Sequence, residues 1–513
     1  MPNILDKQIW PSSPTFGSMA SPRIFPRRNV VVIIAVFSLV GLLMLTTNNM
    51  GQICEDGRYC NISELRKKLG PKLPSESDLA DNNTTAFDAP AKQKTSQPSA
   101  IDHECALFPN TSSVLTVMKT GASEAYSKIP TQLMTNLKCL PDFLLFSDMA
   151  QSIAGFSIHD SLDTVIDSVK QTNQDFELYH RQKQCPVDQE QCNKHHDVAS
   201  QGWNLDKYKN IHMAEKTYQM RPGYDWYLFV DADTYVAYPT LMEWLKVLDP
   251  SKEHYIGSVA YLGSLPFGHG GSGYLLSRAT MHAMFHGKTG VANKFDEPVQ
   301  HTCCGDAMFS QALKDETGVE VVNAWPVING EKPHTLPYGE DEWCQPIVTM
   351  HHTVAEDISD LYAFEVERKF SKPLRIKDLY HRFMAPHMIE SRPDWDNLSG
   401  DVYYLNVTAN HDEGDIARAK KDGLSEQEAN AHQSFDDCKK ACLSLSNCFQ
   451  FRFQNGICGI AHKFKHGRPT KKGDDDSKRY MSGWNIEKIK SWIQEQGDCK
   501  QHFKWPVKDS WTR

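Results

Sequence analysis

The chain has 513 residues, a formal net charge of −9 and a hydrophobic content of 40%. This length suffices for two or three domains with sizeable cores. The acidic balance, together with the lack of basic patches interleaved with aromatic residues, excludes nucleic acid as an expected partner.

An uncharged apolar run at residues 30–47 is the first predicted element. As a helix it spans roughly 27 Å, enough for a thin membrane of the secretory pathway. Basic residues precede the run and acidic residues follow it, so residues 1–29 are expected in the cytosol and the rest in the lumen. A cleaved signal peptide is the alternative, disfavoured by the long preceding segment and the missing cleavage site. The sequence predicts a single-pass type II protein of the Golgi or ER membrane.

Residues 48–112 are polar and contain several prolines, which is typical of an extended luminal stem. The even count of 14 cysteines fits disulfide bonds in an oxidising compartment. Cys54 and Cys60 either staple the base of the stem or link two chains, which leaves a homodimer open. Acceptor sequons for N-linked glycans begin at Asn61, Asn82, Asn83, Asn110, Asn397 and Asn406.

Strands alternate with helices where the ordered part is predicted to begin. A strand at residues 113–118 is followed by a helical stretch to residue 137, and a second strand covers residues 142–146. This alternation predicts an α/β fold whose mostly parallel sheet is covered on both faces. Ligands of such sheets bind beyond the carboxyl ends of the strands. The residues expected there are Lys119, Thr120, Ser147 and Asp148.

Residues 226–236 form an apolar run that is interrupted by two carboxylates, Asp231 and Asp233. The run predicts a buried strand. At its end, two oxygen ligands can share one divalent cation, which is how many enzymes hold a diphosphate. An Asp-x-Asp also occurs by chance, as at residues 474–476, but that copy lies in a polar loop without a preceding strand. The sequence therefore predicts that Asp231 and Asp233 bind a divalent cation together with the diphosphate of a sugar donor.

Two further segments carry candidate donor contacts. The helix predicted at residues 205–219 contains Lys209, which either contacts a diphosphate or is only solvated. The cluster at residues 269–273 contains Gly270 and Gly271, whose backbone amides can approach a ligand closely. The alternative for the glycine cluster is a tight turn.

Asp306 stands at the start of a helix predicted within residues 301–313. It is either a helix cap or a general base that accepts a proton from a substrate hydroxyl. The neighbouring His301, Cys303 and Cys304 invite a zinc interpretation. No second pair of ligands completes such a site, so disulfide bonding of the cysteines is favoured.

Residues 343–354 place two imidazoles, His351 and His352, after a short predicted strand. One neutral imidazole completes an oxygen-rich manganese site, although a lone histidine is more often structural. The residues alone therefore assign neither histidine to a metal.

Four of these segments together resemble the β1,3-glycosyltransferase family that contains the core 1 galactosyltransferases and the fringe enzymes. The similarity covers residues 113–385. It implies a GT-A domain, which is Rossmann-like with a mostly parallel mixed sheet, as well as a UDP-sugar donor, Mn2+ and inversion of the anomeric carbon. The segments are WYLFVDADTYV, HGGSGYLLSR, CCGDAMFSQAL and WCQPIVTMHHTV.

The resemblance also implies roles for single residues. Asp231 and Asp233 become the metal and donor pair, and Asp306 becomes the catalytic base. His352 becomes the third metal ligand, because its spacing fits the family pattern better than that of His351.

The chain departs from the family pattern at two positions. Ala232 stands where the family often has a third consecutive acid, which leaves the identity of the donor sugar open. Gly305 stands where an acidic pair is common, so that Asp306 alone carries the proposed base function.

The C-terminal part is predicted to contain a linker at residues 386–430, a small domain at 431–499 and a tail at 500–513. The spacing of Cys438, Cys442, Cys448 and Cys458, with a helix before two strands, resembles a disulfide-rich α+β module of the PAN or apple type. Such modules bind proteins or carbohydrates. This one either recruits a glycoprotein acceptor or only stabilises the chain.

The sequence is compatible with two hypotheses about the function of the chain. The first is a membrane-anchored enzyme, similar to N-acetylgalactosaminide β1,3-galactosyltransferases, that transfers galactose or a related hexose from a UDP-sugar to a glycoprotein O-glycan. The second is a non-catalytic lectin-like or adhesion protein that uses the C-terminal module. The joint presence of Asp231, Asp233, Asp306 and His352 favours the enzyme.

Overall fold

The computed structural model describes residues 103–185, 187–406, 410–472, 478–499 and 503–509. The predicted membrane span at residues 30–47 and nearly all of the predicted stem lie outside these ranges. Within the described ranges, no helix combines the length and the apolar character that crossing a bilayer requires.

Twelve strands lie in the described residues between 103 and 385, and eight of them form one large sheet. Their bounds are β1 Val114–Lys119, β2 Phe143–Ser147, β3 Gln151–Ile153, β4 Phe156–Asp160, β5 Trp226–Asp231, β6 Tyr235–Val236, β7 Tyr255–Gly257, β8 Val259–Leu262, β9 Leu265–Gly268, β10 Tyr274–Ser277, β11 Val322–Asn323 and β12 Thr349–Met350. The order in the large sheet is β11-β7-β10-β5-β1-β2-β4-β3. The central strands β5, β1, β2 and β4 run parallel, whereas β10 is antiparallel to both of its neighbours.

The central strand β1 is buried on both faces, which explains its nearly continuous apolar sequence. Val114 and Met118 face one hydrophobic core, and Leu115 and Val117 face the other. This alternation follows from the two-residue period of a strand. The predicted strands at 113–118 and 142–146 are present, each shifted by one residue toward the C-terminus.

Helices cover both faces of this sheet. In this part of the chain they are α1 Ala125–Met134, α2 Asp167–Thr172, α3 Glu177–Gln184, α4 Gln189–Asn193, α5 Val198–Asp206, α6 Lys209–Met220, α7 Tyr238–Leu245, α8 Arg278–Phe285, α9 Asp296–Val299, α10 Gly305–Thr317, α11 Ala355–Glu367 and α12 Ile376–Leu379. The single helix predicted at 205–219 is wrong, because the chain breaks into α5 and α6 at Lys207. At that break the backbone of Gly305 approaches the carbonyl of Lys207.

A second, five-stranded sheet forms the C-terminal part, and all of its neighbouring pairs are antiparallel. The bounds here are β13 Ser391–Pro393, β14 Trp395–Asp396, β15 Val402–Leu405, α13 Glu413–Arg418, α14 Glu426–Asn430, α15 Phe435–Ser444, β16 Gln450–Gln454, β17 Ile457–Ala461, β18 Arg468–Pro469, β19 Met481–Trp484 and α16 Ile486–Gln496. The strand order in this sheet is β13-β19-β16-β17-β15. Residues 386–430 were predicted as a linker, yet they supply two strands of this sheet.

Two disulfide bonds staple α15 to the sheet. Cys438 pairs with Cys458 on β17, and Cys442 pairs with Cys448 just before β16. The predicted helix and strands of this module are therefore present. Its membership of the PAN or apple family stays a prediction.

The C-terminal sheet shares a hydrophobic core with the large α/β part. Phe464 is fully buried, and its ring centroid lies 5.8 Å from that of Tyr338 and 5.5 Å from that of Tyr380. A disulfide between Cys344 and Cys499 joins the same two parts. The C-terminal module is thus packed against the large α/β part through a common hydrophobic core.

The predicted tail at 500–513 also packs against the large α/β part, over the segment 503–509 that the structure describes. Trp505 stacks on Trp244 with ring centroids 5.9 Å apart. The indole Nε1 of Trp244 donates a hydrogen bond of 2.9 Å to the carbonyl of Val507. Residues 503–509 of the predicted tail are therefore packed on the large α/β part.

We expect Phe464→Ala to lower the free energy of unfolding by about 3–5 kcal/mol, because it leaves a cavity between the two parts. Denaturant unfolding of the full chain measures this. Leu443→Ala is the control, since that side chain is 51% exposed on the same module, and exposed substitutions usually change stability by less than about 0.5 kcal/mol. Equal effects of the two variants contradict a shared core.

The sequon at Asn397 is not available to a glycan in the folded chain. Its side chain is fully buried, and Nδ2 donates to the carbonyls of Phe451 and Gly483 at 3.0 and 3.1 Å. The prediction of a glycan at Asn397 is therefore wrong, because the amide nitrogen that would carry the sugar holds two strands together. Asn110, by contrast, is exposed.

Candidate active site

The candidate site lies at the carboxyl ends of the central parallel strands. Lys119 is the last residue of β1 and Asp231 is the last residue of β5, and the two are direct partners in the strand register. Ser147 ends the neighbouring β2. The side chains that the sequence predicts beyond these strand ends therefore converge at one edge of the sheet.

Lys119 is buried and forms ion pairs with two partly exposed carboxylates, those of Asp231 and of Asp206, the last residue of α5. The Lys119 Nζ lies 2.5 Å from Asp206 Oδ2 and 3.3 Å from Asp231 Oδ1. Burial alone lowers the pKa of Lys119, but the two carboxylates outweigh burial and raise it. Lys119 is thus a fixed positive charge at the strand end.

Lys209 lies behind this pair and is enclosed by protein. Its Nζ is 3.2 Å from Asp148 Oδ1 and 3.1 Å from the carbonyl of Thr120. Asp148 also accepts a hydrogen bond of 2.7 Å from the amide of Ala122. The side chains of Lys209 and Asp148 are only 2% and 1% exposed. In this structure they fasten the loop after β1 to the end of β2, and their contact with a donor stays a prediction.

Asp233 belongs to a separate cluster with two histidines. One ligand atom each of Asp233, His351 and His352 lies within 4.8 Å of the others, and this is the only such group of three among the described residues. His351 Nδ1 is 3.3 Å from Asp233 Oδ1 and 3.1 Å from Thr234 Oγ1. Lys128 on α1 contacts the other carboxylate oxygen of Asp233 at 3.3 Å.

Strand pairing explains why the histidines reach Asp233. The short strand β12 runs antiparallel to β6, with Met350 opposite Tyr235. The residues that follow β12 consequently lie beside those that precede β6. His352 has a positive φ of 59°, and its ring centroid comes to 4.0 Å from that of His351. The two imidazoles therefore face the same carboxylate.

The chemistry of this cluster fits a divalent transition metal. A carboxylate and two neutral imidazoles are the donor types that such ions accept. Burial lowers the pKa of His351 to about 3 and also lowers the pKa of His352, so both rings are neutral near pH 7. The sequence favoured His352 over His351, whereas the structure brings both to Asp233. Asp231 lies outside the group of three, and its carboxylate contacts Lys119.

The glycine cluster connects the two halves of the site. The amide of Gly270 donates a hydrogen bond of 2.8 Å to Asp306 Oδ2. The carbonyl of Gly271 accepts a hydrogen bond of 2.7 Å from Thr234 Oγ1. A Cβ at position 271 would lie 2.3 Å from His351 Nε2. Gly270 thus holds the carboxylate of Asp306, and Gly271 makes room for the His351 ring.

We expect Gly271→Ala to displace the His351 ring and to weaken metal-dependent UDP binding by at least about tenfold, as for groups that orient a metal ligand. Titration calorimetry with Mn2+ and UDP measures the effect. Gly223→Ala is the matched control, because no atom lies within 4 Å of a Cβ built there. Unchanged affinity in Gly271→Ala contradicts a role of His351 at the metal.

Asp306 is the second residue of α10, and its carboxylate is held at both oxygens. Oδ2 accepts from Gly270 N, and Oδ1 accepts from the amide of Ala307 at 2.9 Å. Burial raises the pKa of Asp306, while His269, these amides and Lys119 oppose the rise. The carboxylate of Asp306 is thus half-buried and has a raised pKa, and both properties suit a group that accepts a proton.

Gly305 explains one departure from the family pattern. A Cβ at this position would lie 2.4 Å from the carbonyl of Lys207 and 2.5 Å from Asn210 Nδ2. No acidic side chain fits here without moving the turn between α5 and α6. The chain therefore has one carboxylate at the start of α10.

The two cysteines before α10 are joined to each other. Cys303 and Cys304 form a disulfide between adjacent residues. Disulfide bonding was favoured from the sequence, and this pairing leaves no thiolate here for the zinc that His301 suggested. No cysteine among the described residues is free.

Sequence reasoning missed three charged or polar residues of the site, namely Asp206, Lys128 and His269. Asp206 bridges Lys119 and Lys209. His269 lies beside both His351 and the carboxylate of Asp306. Asp206 and Lys209 are three residues apart, a spacing that brings side chains together on helices. Nothing in the local sequence marks Lys128.

One comparison with known proteins matches a part of the chain that contains several residues of this site. Residues 170–312 match the profile of the protein family described as Fringe-like. The matched range includes Asp231, Asp233, the glycine cluster and Asp306, but it ends before the two histidines. No curated protein matches the chain. The Fringe-like match supports a glycosyltransferase, and enzymes of that kind are generally metal-dependent.

Proposed function

We propose that the chain is a metal-dependent, inverting glycosyltransferase that moves galactose or a related hexose from a UDP-sugar to a glycoprotein O-glycan in β1,3 linkage. The observation that carries this proposal is the link between Asp306 and the Asp233 cluster through one glycine loop. Gly270 holds Asp306 by its amide, and the next residue packs directly on His351. A proton acceptor and a set of metal ligands thus lie in one site.

The reaction in this proposal is a single displacement. An acceptor hydroxyl oxygen forms a bond to C1 of the donor sugar while the bond from C1 to the diphosphate oxygen breaks. Asp306 takes the hydroxyl proton, and UDP leaves with the electron pair of the broken bond. The anomeric carbon gains oxocarbenium character on the way, as in glycoside hydrolysis. Because the leaving group departs from the opposite face, the configuration at C1 inverts.

The ligands for the metal in this proposal are Asp233 and His351 or His352, with Asp231 beside them. When bound, Mn2+ or a similar cation supplies positive charge for the diphosphate. Lys119 adds a second, fixed positive charge at the same strand end, because its pKa is raised by Asp206 and Asp231. The buried pair of Lys209 and Asp148 keeps the loop after β1 in place.

Incubation of the purified full chain with UDP-hexoses, Mn2+ and O-glycan acceptors tests the proposal. Manganese-dependent transfer of a hexose, with a β1,3 linkage in the product, supports it. Glycan binding without turnover of any UDP-sugar supports the lectin-like or adhesion function instead. Removal of the metal by a chelator is expected to abolish transfer, and addition of Mn2+ is expected to restore it.

The cellular setting follows from the sequence and is part of the same proposal. The apolar run at residues 30–47 anchors the chain as a type II protein in the Golgi or ER membrane, with the catalytic part in the lumen. A homodimer linked through Cys54 or Cys60 is the proposed assembly. Protease protection in intact microsomes tests the orientation, because only residues 1–29 are expected to be digested.

A further inference from the structure

We infer that the disulfide between Cys303 and Cys304 is a positioning element for Asp306 and a redox-sensitive control point of the proposed transfer reaction. The inference rests on the proposed function, in which Asp306 is the base. It concerns the two residues that directly precede α10, the helix that carries Asp306.

This bond has a different role from the other disulfides of the described residues. The sequence separations of those bonds range from 6 to 155 residues. A disulfide stabilises a fold mainly by closing a loop in the unfolded chain, and the gain grows with loop length. Cys303 and Cys304 are adjacent, with a Cα–Cα distance of 3.8 Å, so their bond closes no such loop. What it restricts is the backbone of these two residues.

The restricted backbone determines where α10 begins. Cys304 is the N-cap of α10, and its carbonyl accepts the amide of Met308 at 3.2 Å. Gly305 follows and is pressed against the carbonyl of Lys207. Asp306 comes next and accepts the amide of Gly270 at 2.8 Å. Because Asp306 is only two residues after Cys304, a shift of the Cys303–Cys304 backbone is expected to move the carboxylate of Asp306.

Hydrogen bonds hold the segment around Cys303 and Cys304, and one of these two cysteines is exposed to solvent. The Lys207 Nζ donates to the carbonyl of Gln300 at 3.3 Å, just upstream of the disulfide. The amide of Cys304 lies 3.5 Å from Thr302 Oγ1, at the limit of a hydrogen bond. Cys303 itself is exposed. The amides of His301 and Thr302 donate to the carbonyls of Pro298 and Val299 at 3.2 Å, which holds the segment before the disulfide. The covalent ring restrains the two residues that follow, and a dithiol reductant can reach the exposed Cys303.

Reduction of this bond is a balanced exchange. A dithiol gives two electrons and two protons to the Cys303–Cys304 bond and becomes a disulfide itself. The products in the protein are two neutral thiols, and the start of α10 loses its covalent restraint. Misplacement of a catalytic group by about 1 Å can cost roughly 100-fold in rate. Turnover is therefore expected to fall, while donor binding, which uses other residues, is expected to persist.

The test compares the full chain with the double variant Cys303→Ser/Cys304→Ser. We expect kcat to fall about 10- to 100-fold, with affinity for Mn2+ and UDP unchanged within about twofold by calorimetry. The matched control is Cys185→Ser/Cys192→Ser, which removes another short-range disulfide whose two cysteines are half-buried and is expected to leave kcat unchanged. A native kcat in the Cys303 and Cys304 variant overturns the inference, as does an equal loss of kcat and donor affinity.

A brief dithiol treatment gives a second, reversible arm. The native chain and the Cys185 and Cys192 variant are expected to lose turnover and to regain it after reoxidation. The residual activity of the Cys303 and Cys304 variant is expected not to respond. An identical response of all three chains assigns the effect to other disulfides and overturns the inference.

Amide hydrogen exchange separates this inference from the proposed function. Faster exchange of the first-turn amides of α10, residues 305–308, is expected in the Cys303 and Cys304 variant and after reduction. This readout needs no transfer activity. A native chain that transfers no sugar contradicts the proposed function, whereas unchanged exchange at residues 305–308 overturns the positioning role by itself.

Discussion

An Asp306→Asn variant is expected to bind Mn2+ and UDP as the native chain does and to lose kcat by about 10²–10⁴-fold, the usual contribution of a general base. The amide has the shape of the carboxylate and still accepts the Gly270 hydrogen bond, but it cannot take the acceptor proton. Steady-state kinetics with a UDP-hexose and an O-glycan acceptor measure the loss. Asp315→Asn is the matched control, because Asp315 is an exposed residue of the same helix that accepts a hydrogen bond from Gln311.

The same variant gives a pH test. Burial raises the pKa of Asp306, and a base works only when it is ionised. The native kcat is therefore expected to fall as the pH is lowered through this raised pKa, at a higher pH than an ordinary aspartate would give. The residual rate of Asp306→Asn is expected to lack this acid limb. If the pH profile of kcat falls at the same acidic pH in the native chain and in Asp306→Asn, the titrating group is not Asp306, and the assignment of the base is refuted.

An Asp233→Ala variant is expected to lose metal-dependent UDP binding by more than about 100-fold. Even groups that only orient a metal ligand typically contribute about 10- to 100-fold, and Asp233 is the single carboxylate of the cluster with His351 and His352. Calorimetric titration of UDP with and without Mn2+ measures the change. Asp225→Ala is the control, because Asp225 precedes the opposite end of β5 and pairs with Arg278 at 2.6 Å.

Single variants of the neighbouring residues then define the ligand set. His351→Ala and His352→Ala are expected to weaken Mn2+ affinity, and the larger loss identifies the principal imidazole ligand. Asp231→Asn tests whether the carboxylate that Lys119 holds in this structure also serves the metal. If Asp233→Ala binds Mn2+ and UDP like the native chain, the metal centre is not at this cluster.

The predictions that followed local patterns agree with the structure at the level of elements. The apolar runs at 113–118, 142–146 and 226–230 are strands, because two covered faces require continuous hydrophobic residues. Residue 306 stands at a helix start, where a small or acidic residue is favoured. The linker was misjudged for a related reason. Its strands β13 and β15 are short and pair at the two edges of a small sheet, with polar and charged residues between and after them, so composition alone resembled a loop.

The positions of single polar side chains depended on contacts that no local pattern records. From the sequence, Lys209 either contacts a diphosphate or is only solvated, yet in the structure it is buried against Asp148, which directly follows β2 more than fifty residues earlier in the sequence. Asn397 has a glycan sequon, yet its amide joins two strands of the C-terminal sheet. In both cases the neighbour that decides the role comes from a different element.

The sequence by itself determined the helices and strands and where the strands end. Burial of one face makes apolar residues recur with the period of a helix or a strand, and this pattern is visible among neighbouring residues. It placed Asp231 and Asp233 at the end of β5 and Asp306 at the start of α10. Only the tertiary structure decided that both histidines reach Asp233 and that Asp231 pairs with Lys119. Those contacts join residues about 110 positions or more apart, and the packing of β1, β5 and β12 sets them.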